Sequence, residues 1–137
     1  IQEYQKRLTH YIPFTIQVIP ELKNTKALTT DQQKQAEGEL ILRAITSAND
    51  LVLLDEHGKE FRSIEFADYL QKKMSSGRDL VFVVGGPYGF SEAVYQRANG
   101  KISLSKMTFS HQMVRLFFVE QTYRAMTILR GEPYHHE

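Results

Sequence analysis

The residues of this chain that could take part in chemistry are concentrated in its last third. A glycine-rich turn, GGPYG at residues 85–89, directly follows the apolar run LVFVV at residues 80–84. A loop rich in hydroxyl groups, ISLSKMTFS, occupies residues 102–110, and the chain ends in PYHHE. Glycine lets a ligand approach the backbone closely, and histidine titrates near neutral pH. We therefore interpret the two loops as one binding site and the tail as its lid.

The glycine turn has two interpretations. After a buried strand it could hold a nucleotide-like ligand through its backbone, but GxGxxG is absent and no Lys-Ser or Lys-Thr pair completes a Walker A loop. The same residues are explained by a tight strand-to-helix turn in which Ser91 caps the following helix. The residues alone favour this second interpretation slightly.

The hydroxyl-rich loop and one acidic pair also allow alternatives. Met107 and Phe109 could flank an adenine ring, although such residues at the end of a strand more often pack into the core. Asp55 and Glu56 could act as an acid–base pair, but a turn after a strand explains them equally well. We assign no catalytic role to these carboxylates.

The tail places His135 beside His136, which could form a metal pair, a base or an RNA contact. Adjacent histidines point apart in an extended segment and no third ligand has a suitable spacing, so we expect no metal site. A plain polar tail is the simplest alternative. The chain contains no cysteine, which excludes disulfides, thiolate nucleophiles and cysteine-based zinc sites.

Length and composition indicate one ordinary globular domain of 137 residues, with 42% apolar and 24% charged residues. No apolar run approaches the ~20 residues of a membrane span, and no secretory signal is recognisable, so we expect a cytoplasmic protein without membrane contact. Residues 1–100 carry a net charge of −1 and residues 101–137 a net charge of +2. That basic region could meet phosphate, although a mildly unbalanced solvated surface explains it equally.

Hydrophobic periodicity predicts alternating helices and strands. We expect strands at residues 14–19, 51–55 and 80–84, with a turn at 56–59. We expect a first helix at residues 1–11 and a last helix at 111–129. Two further helices lie between them: one is capped by Thr30, with Gln33 completing a capping box, and the other is capped by Ser63 and buries Phe66, Ala67 and Leu70.

Alternating strands and helices predict a parallel sheet with right-handed crossovers, which binds ligands beyond the carboxyl ends of its strands. The loops after Leu54, at residues 85–89 and at residues 105–110 should therefore converge. Apolar residues cover much of the circumference of the last helix, from Met113 to Leu129. Such a helix needs a second surface to bury against, which makes a homodimer plausible.

The segments LVFVVGGPYGFS, ISLSKMTFSHQMVR and EQTYRAMTILRGEPYHHE together resemble the ribosomal large subunit methyltransferase H family, which belongs to the SPOUT methyltransferases. The resemblance is dense over residues 80–137 and looser over residues 51–63 and 2–14. It implies an S-adenosylmethionine-dependent enzyme that methylates N3 of a pseudouridine in 23S rRNA within the assembled ribosome. A non-catalytic ribosome-binding factor with the same fold is the alternative, and another kind of nucleotide-binding α/β domain is a more distant one.

The resemblance also implies a fold and a set of site residues. It implies a single SPOUT domain over residues 1–137. It implies an α/β fold whose parallel sheet is flanked by helices and whose C-terminal segment threads a trefoil knot. The cofactor is implied to lie at the interface of a homodimer. The implied catalytic residues are Tyr134, His135 and His136, and the implied cofactor contacts are Leu54, Gly86, Ser105, Lys106, Met107, Thr108, Phe109 and Ser110.

Within that family resemblance, His135, or with less support His136, is expected to assist the departure of the N3 proton. The alternative is that the tail only shapes the pocket and water takes the proton. Two features depart from the family pattern: the strand usually found before the first helix is missing, and His136 stands where arginine is common. The first departure would leave a sheet edge exposed, and we expect truncation or disorder to explain it.

Cationic side chains near the last helix could contact rRNA phosphates. Arg115 and Arg124 lie on that helix, and Lys101 and Lys106 lie near the loop before it. Arg124 could equally form an ion pair across a dimer. Because the basic surface is modest, recognition should depend largely on the shape of the ribosome.

Overall fold

In a computed structural model, the described residues (2–14, 27–85, 89–105, 107 and 109–134, without the side chains of Gln2 and His111) alternate between helices and strands. Their order is α1 (Gln2–Leu8), α2 (Thr30–Arg43), β1 (Asp50–Glu60), α3 (Ser63–Met74), β2 (Leu80–Val84), α4 (Glu92–Arg97), β3 (Gly100–Ser103) and α5 (His111–Leu129).

The three described strands form a parallel sheet in the order β2-β1-β3. The parallel arrangement predicted from the strand–helix alternation is therefore confirmed. The strand predicted at residues 14–19 lies outside the described residues except for Phe14. The loop predicted from Ile102 onward is wrong for its first two residues, because Ile102 and Ser103 belong to β3. That strand is too short for its alternation to stand out from a loop.

Side chains of β1 alternate between two separate hydrophobic clusters. Leu51 and Leu53 pack with residues of α2 and α4, whereas Val52 and Leu54 pack with residues of α1, α3 and α5. The continuous apolar run of β1 was predicted to be covered on both faces, and this is confirmed.

The strand β1 continues to Glu60, so the predicted turn at residues 56–59 is wrong. Leu54 and Lys59 both pair with Ile102, which makes the intervening residues a bulge within the strand. Gly58 lies against the backbone of Ile102, where an added Cβ would be 2.6 Å from the carbonyl carbon. Glycine at this position lets the chain return to β3 instead of leaving the sheet.

The helix boundaries differ from the prediction by a few residues. Thr29, not Thr30, caps α2, and its capping-box partner is Gln32, not Gln33. The sequence offers both pairs at the same spacing, so pattern alone does not choose between them. Ser63 begins α3 instead of capping it, and the Glu65 carboxylate accepts a hydrogen bond from the N-cap backbone at 2.8 Å.

The first helix is shorter than predicted, since α1 ends at Leu8 and residues 9–11 form a turn. The Thr9 hydroxyl donates to the Lys6 carbonyl at 2.6 Å, which competes with continuation of the helix. In α2, Gly38 and Ile41 are buried, while Ala44 at its C-cap is exposed.

The last helix, α5, has the predicted bounds and packs against α3 and α1. The Phe118 ring centroid lies 4.7 Å from that of Phe82 in β2 and 6.2 Å from that of Phe66 in α3. The inner residues predicted for α3 are confirmed as buried. Among the described helices, none combines the length and the hydropathy needed to cross a membrane.

Candidate functional site

The carboxyl ends of the three strands lie side by side. Leu54 of β1 pairs with Val84 of β2 on one side and with Ile102 of β3 on the other. The segments that follow β2 and β3 leave the sheet at this edge, which is where parallel sheets bind ligands. The loop predicted after Leu54 is wrong, because β1 continues through its bulge to Glu60. We call this region the strand-end site.

The two described glycines of the turn after β2, Gly85 and Gly89, are each constrained. The Phe90 ring covers Gly85 so closely that an added Cβ would lie 2.8 Å from the ring. Gly89 has a φ of +83°, a conformation that side chains rarely adopt, so glycine is required there. Ser91 caps α4 as predicted, accepting a hydrogen bond from the Val94 amide at 3.4 Å. Gly86 lies outside the described residues.

The segment after β3 is built from short hydroxyl contacts. The Ser103 hydroxyl donates to the Ser105 carbonyl at 3.0 Å, and the Met107 amide donates to the Ser105 hydroxyl at 3.0 Å. Ser110 caps α5 by accepting from the Met113 amide at 3.3 Å.

Two apolar side chains of this segment are unusually open to solvent. Met107 is 72% exposed and Phe109 is 37% exposed. The Phe109 ring meets the Phe117 ring edge-on, with centroids 5.1 Å apart. The core-packing alternative is therefore wrong for Met107. Lys106 and Thr108 lie outside the described residues.

Sequence reasoning left Asp55 without a role, yet it is a buried carboxylate next to Leu54. Its side chain is only 5% exposed and accepts hydrogen bonds from the Tyr95 hydroxyl and from the His57 amide, the latter at 2.8 Å. The His57 Nδ1 lies 3.2 Å from the same carboxylate oxygen as the amide. A charged residue directly after a continuous apolar strand is the signal that could have identified it.

The pKa values of Asp55 and Tyr95 are shifted in opposite directions, which keeps each side chain in one protonation state. Burial raises the pKa of Asp55, but the hydrogen bonds from Tyr95 and His57 outweigh burial and hold the pKa below its ordinary value. Burial, together with the hydrogen bond to Asp55, raises the pKa of Tyr95 to about 12. At neutral pH Asp55 is therefore ionised and Tyr95 is protonated, so the hydroxyl acts as the donor.

An open groove of about 560 Å³ lies beside α4 and β3, with His57, Glu92, Tyr95 and Lys101 among its lining residues. The Lys101 ammonium lies 5.4 Å from the centre of the Tyr95 ring. Within the described ranges, no group of three or more histidine and carboxylate side chains could hold a metal ion.

Tyr134 lies far from the strand-end site of its own chain. Its hydroxyl donates to the Glu120 carboxylate at 3.0 Å and lies 3.3 Å from the Tyr4 hydroxyl. The Arg124 guanidinium contacts the same Glu120 oxygen at 2.6 Å. Glu120 is about 15 Å along α5 from Ser110, at 1.5 Å per residue. One chain therefore does not bring Tyr134 to the segment before α5, and His135 and His136 lie outside the described residues.

Residues 1–135 match the family described as "Predicted SPOUT methyltransferase". The chain belongs to the SPOUT methyltransferase family. Proteins named "Ribosomal RNA large subunit methyltransferase H" from Bacteroides thetaiotaomicron and Parabacteroides distasonis are each 67% identical to it, over the whole chain and 88% of their own length. A protein of the same name from Flavobacterium johnsoniae is 61% identical over the same shares. The resemblance drawn from the sequence segments is thus confirmed.

Proposed function

We propose that this SPOUT methyltransferase transfers a methyl group from S-adenosylmethionine to N3 of a pseudouridine in 23S rRNA of the assembled ribosome. The observation that carries the proposal is 67% identity over the whole chain to proteins named for methylation of large-subunit rRNA. The strand-end site supports it, since the segments that the resemblance assigns to cofactor binding leave the sheet at one edge.

We also propose a single SPOUT domain over residues 1–137 that carries a C-terminal trefoil knot and acts as a homodimer in the cytoplasm. Family membership supports the knot. Apolar side chains around the start of α5 support the dimer, because Met107, Phe109 and Met113 are 72%, 37% and 41% exposed. A second copy of the chain would remove these side chains from water.

The residues of the strand-end site fit S-adenosylmethionine in chemical type. Met107 and Phe109 are exposed apolar groups of the kind that flank an adenine ring, and Ser105 and the backbone around it offer polar contacts. The proposed contacts are Leu54, Gly86, Ser105, Lys106, Met107, Thr108, Phe109 and Ser110. When bound, the cofactor supplies an electrophilic methyl group. The chain's own task is to bind and orient both reactants, because displacement at that methyl requires alignment.

The C-terminal tail is proposed to serve the site of the partner subunit. Tyr134 is held on α5 and α1 of its own chain, about 15 Å along α5 from Ser110. A homodimer allows the next residues to reach across to the other copy. There, His135 or His136 would take the N3 proton of the pseudouridine, since imidazole accepts protons near neutral pH.

The proposal is tested by incubating ribosomes that lack the modification with S-adenosylmethionine labelled in its methyl group. We expect label at N3 of one pseudouridine of 23S rRNA. Calorimetric titration with S-adenosylhomocysteine is run alongside. Ribosome binding with neither label nor cofactor binding would support the non-catalytic factor instead, and label on another nucleotide would refute the assigned substrate.

The role of the tail is tested separately with His135→Gln and His136→Gln, using His10→Gln in the exposed turn after α1 as a matched control. Loss of a general base lowers the single-turnover rate by ~10²–10⁴-fold. We expect that loss for His135→Gln and none for the control. Unchanged rates in both tail variants would leave proton removal to water.

A further inference from the structure

Tyr95 of α4 contacts residues of β1, of β3 and of the segment after β2. Its hydroxyl donates to Asp55 of β1, and its ring meets the Phe90 ring of the segment after β2 edge-on, with centroids 5.8 Å apart. Its ring lies 5.4 Å from the Lys101 ammonium of β3. An added Cβ at Gly89 would lie 3.7 Å from the same hydroxyl. A single side chain thus joins parts of the chain up to 46 residues apart.

The acceptor of this bond is itself held in place. One Asp55 oxygen accepts a hydrogen bond from the Tyr95 hydroxyl, and the other accepts one from the His57 amide at 2.8 Å. The carboxylate is 95% removed from solvent, its side chain being 5% exposed. A buried hydrogen bond to an ionised acceptor is stronger than a neutral one, so this contact holds α4 firmly to β1.

The glycine turn needs such a contact more than most loops do. It contains three glycines, and glycine loses more conformational freedom on ordering than other residues. Gly85 and Gly89 offer no side chain to anchor the turn. If the turn is not held beforehand, a ligand must order it on binding, which weakens affinity.

We propose that Tyr95 is a positioning residue whose hydroxyl, bonded to Asp55, anchors α4 and the adjoining Phe90 to β1; Phe90 in turn covers Gly85, and this anchoring preorganises the strand-end site for the cofactor. This inference rests on the proposed function. Tyr95 acts through Asp55 and Phe90 rather than by touching the reacting atoms.

Tyr95→Phe removes the hydroxyl and keeps the ring, including its edge-on contact with Phe90 at 5.8 Å. Tyr69→Phe is the matched control, because Tyr69 is half-buried in α3, on the opposite face of the sheet. Both are titrated calorimetrically with S-adenosylhomocysteine. We expect about tenfold weaker binding for Tyr95→Phe, the scale of one lost hydrogen bond to a charged group, and less than a twofold change for Tyr69→Phe.

Kinetics separate positioning from general loss of structure. In Tyr95→Phe the KM for S-adenosylmethionine should rise about tenfold, while the KM for ribosomes and kcat at saturating cofactor stay within about threefold. Asp55→Ala removes the acceptor of the same hydrogen bond. The double variant should bind S-adenosylhomocysteine no more weakly than the single variant with the lower affinity, because the two substitutions remove the same interaction.

The outcomes distinguish the two hypotheses. If the unmodified protein fails to bind S-adenosylhomocysteine, the proposed function is wrong and this inference falls with it. If it binds but Tyr95→Phe binds equally well, only the positioning role is overturned. Should Tyr95→Phe not fold, an unchanged affinity in Asp55→Ala overturns it in the same way.

Discussion

On the face of the sheet covered by α1, α3 and α5, ten buried apolar residues of the described chain form one cluster, whereas the cluster on the face covered by α2 and α4 has five. We call these the α5 face and the α4 face. The α5 face includes a run of ring contacts through Phe66, Phe82 and Phe118. The α4 face instead carries the polar contacts of Asp55, Tyr95 and the Ser91 cap.

This difference indicates a division of labour between the faces. Free energy of unfolding scales with the apolar area that is buried, which is larger on the α5 face. The short helix α4 (Glu92–Arg97) has little area to contribute, but its Tyr95 bonds to Asp55 of β1, and Phe90 just before it covers Gly85. We therefore expect substitutions on the α5 face to change stability, and substitutions on the α4 face to change the strand-end site.

The largest effect on the free energy of unfolding is expected when an aromatic side chain is truncated to alanine on each face. Phe118→Ala should lower the free energy of unfolding by about 4–5 kcal/mol, because Phe118 is 6% exposed and contacts two other rings. Phe90→Ala, whose ring is 4% exposed, should cost only about 3 kcal/mol. It should also weaken binding of S-adenosylhomocysteine, since the ring covers Gly85.

Urea titrations followed by circular dichroism give both stabilities, and calorimetry gives both affinities. The division of labour would be contradicted by equal losses of affinity in the two alanine variants. It would also be contradicted if Phe90→Ala were the less stable of the two.

A smaller effect is expected at Gly38, where α2 meets α4. An added Cβ would lie 2.4 Å from the Ser91 hydroxyl oxygen, which caps α4. Alanine gains up to ~1 kcal/mol of helix propensity over glycine, but overpacking costs ~1–3 kcal/mol. We therefore expect Gly38→Ala to lower the free energy of unfolding by about 1 kcal/mol.

The same substitution in a Ser91→Ala background provides the control. That background removes the atom nearest to the new methyl group and leaves Val94 at 3.1 Å. Gly38→Ala should then cost less than it does in the unmodified chain. An equal cost in both backgrounds would show that the Ser91 contact does not limit packing between α2 and α4.

The smallest effect concerns pH on the α4 face. The pKa of Asp55 is lowered in the folded state by hydrogen bonds from Tyr95 and His57 that outweigh burial. Its stabilisation is therefore complete above the unfolded pKa of ~4 and is lost as pH falls through the lower folded value. Asp55→Asn should reduce the dependence of unfolding free energy on pH below about pH 4.

Urea titrations between pH 6 and pH 2.5 provide the measurement, with Asp68→Asn on the exposed side of α3 as the control. The stability difference between unmodified protein and Asp55→Asn should be constant near neutral pH and shrink under acid. A difference that does not change with pH would mean that Asp55 titrates alike in the folded and unfolded chain.

Much of the fold follows from local patterns. The bounds of α5, the strand β2 and the inner residues of α3 were all predicted, because apolar spacing over a long or continuous segment has one main interpretation. Boundaries were less certain where two patterns competed, as with Thr29 and Thr30. The bulge in β1 was missed because Gly58 looks like a turn residue until Ile102 lies beside it.

The candidate site was predictable in outline and not in detail. Parallel topology by itself predicts that the strand ends lie together, and family resemblance named the contacts. Tyr95 was missed because its partner Asp55 is 40 residues away, and no local spacing joins them. Tyr134 was named by the family resemblance, but its contact with Tyr4 spans 130 residues and no local spacing predicts it.

By itself, the sequence determined the element types, the parallel sheet and membership of the SPOUT methyltransferases, because periodicity and short motifs are local properties of the chain. Only the tertiary structure decided that Asp55 is a buried hydrogen-bond acceptor, that Tyr95 ties α4 to β1, and that Tyr134 docks on its own α5. These contacts join residues distant in sequence, and their strength depends on exclusion of water, which exists only once the chain has folded.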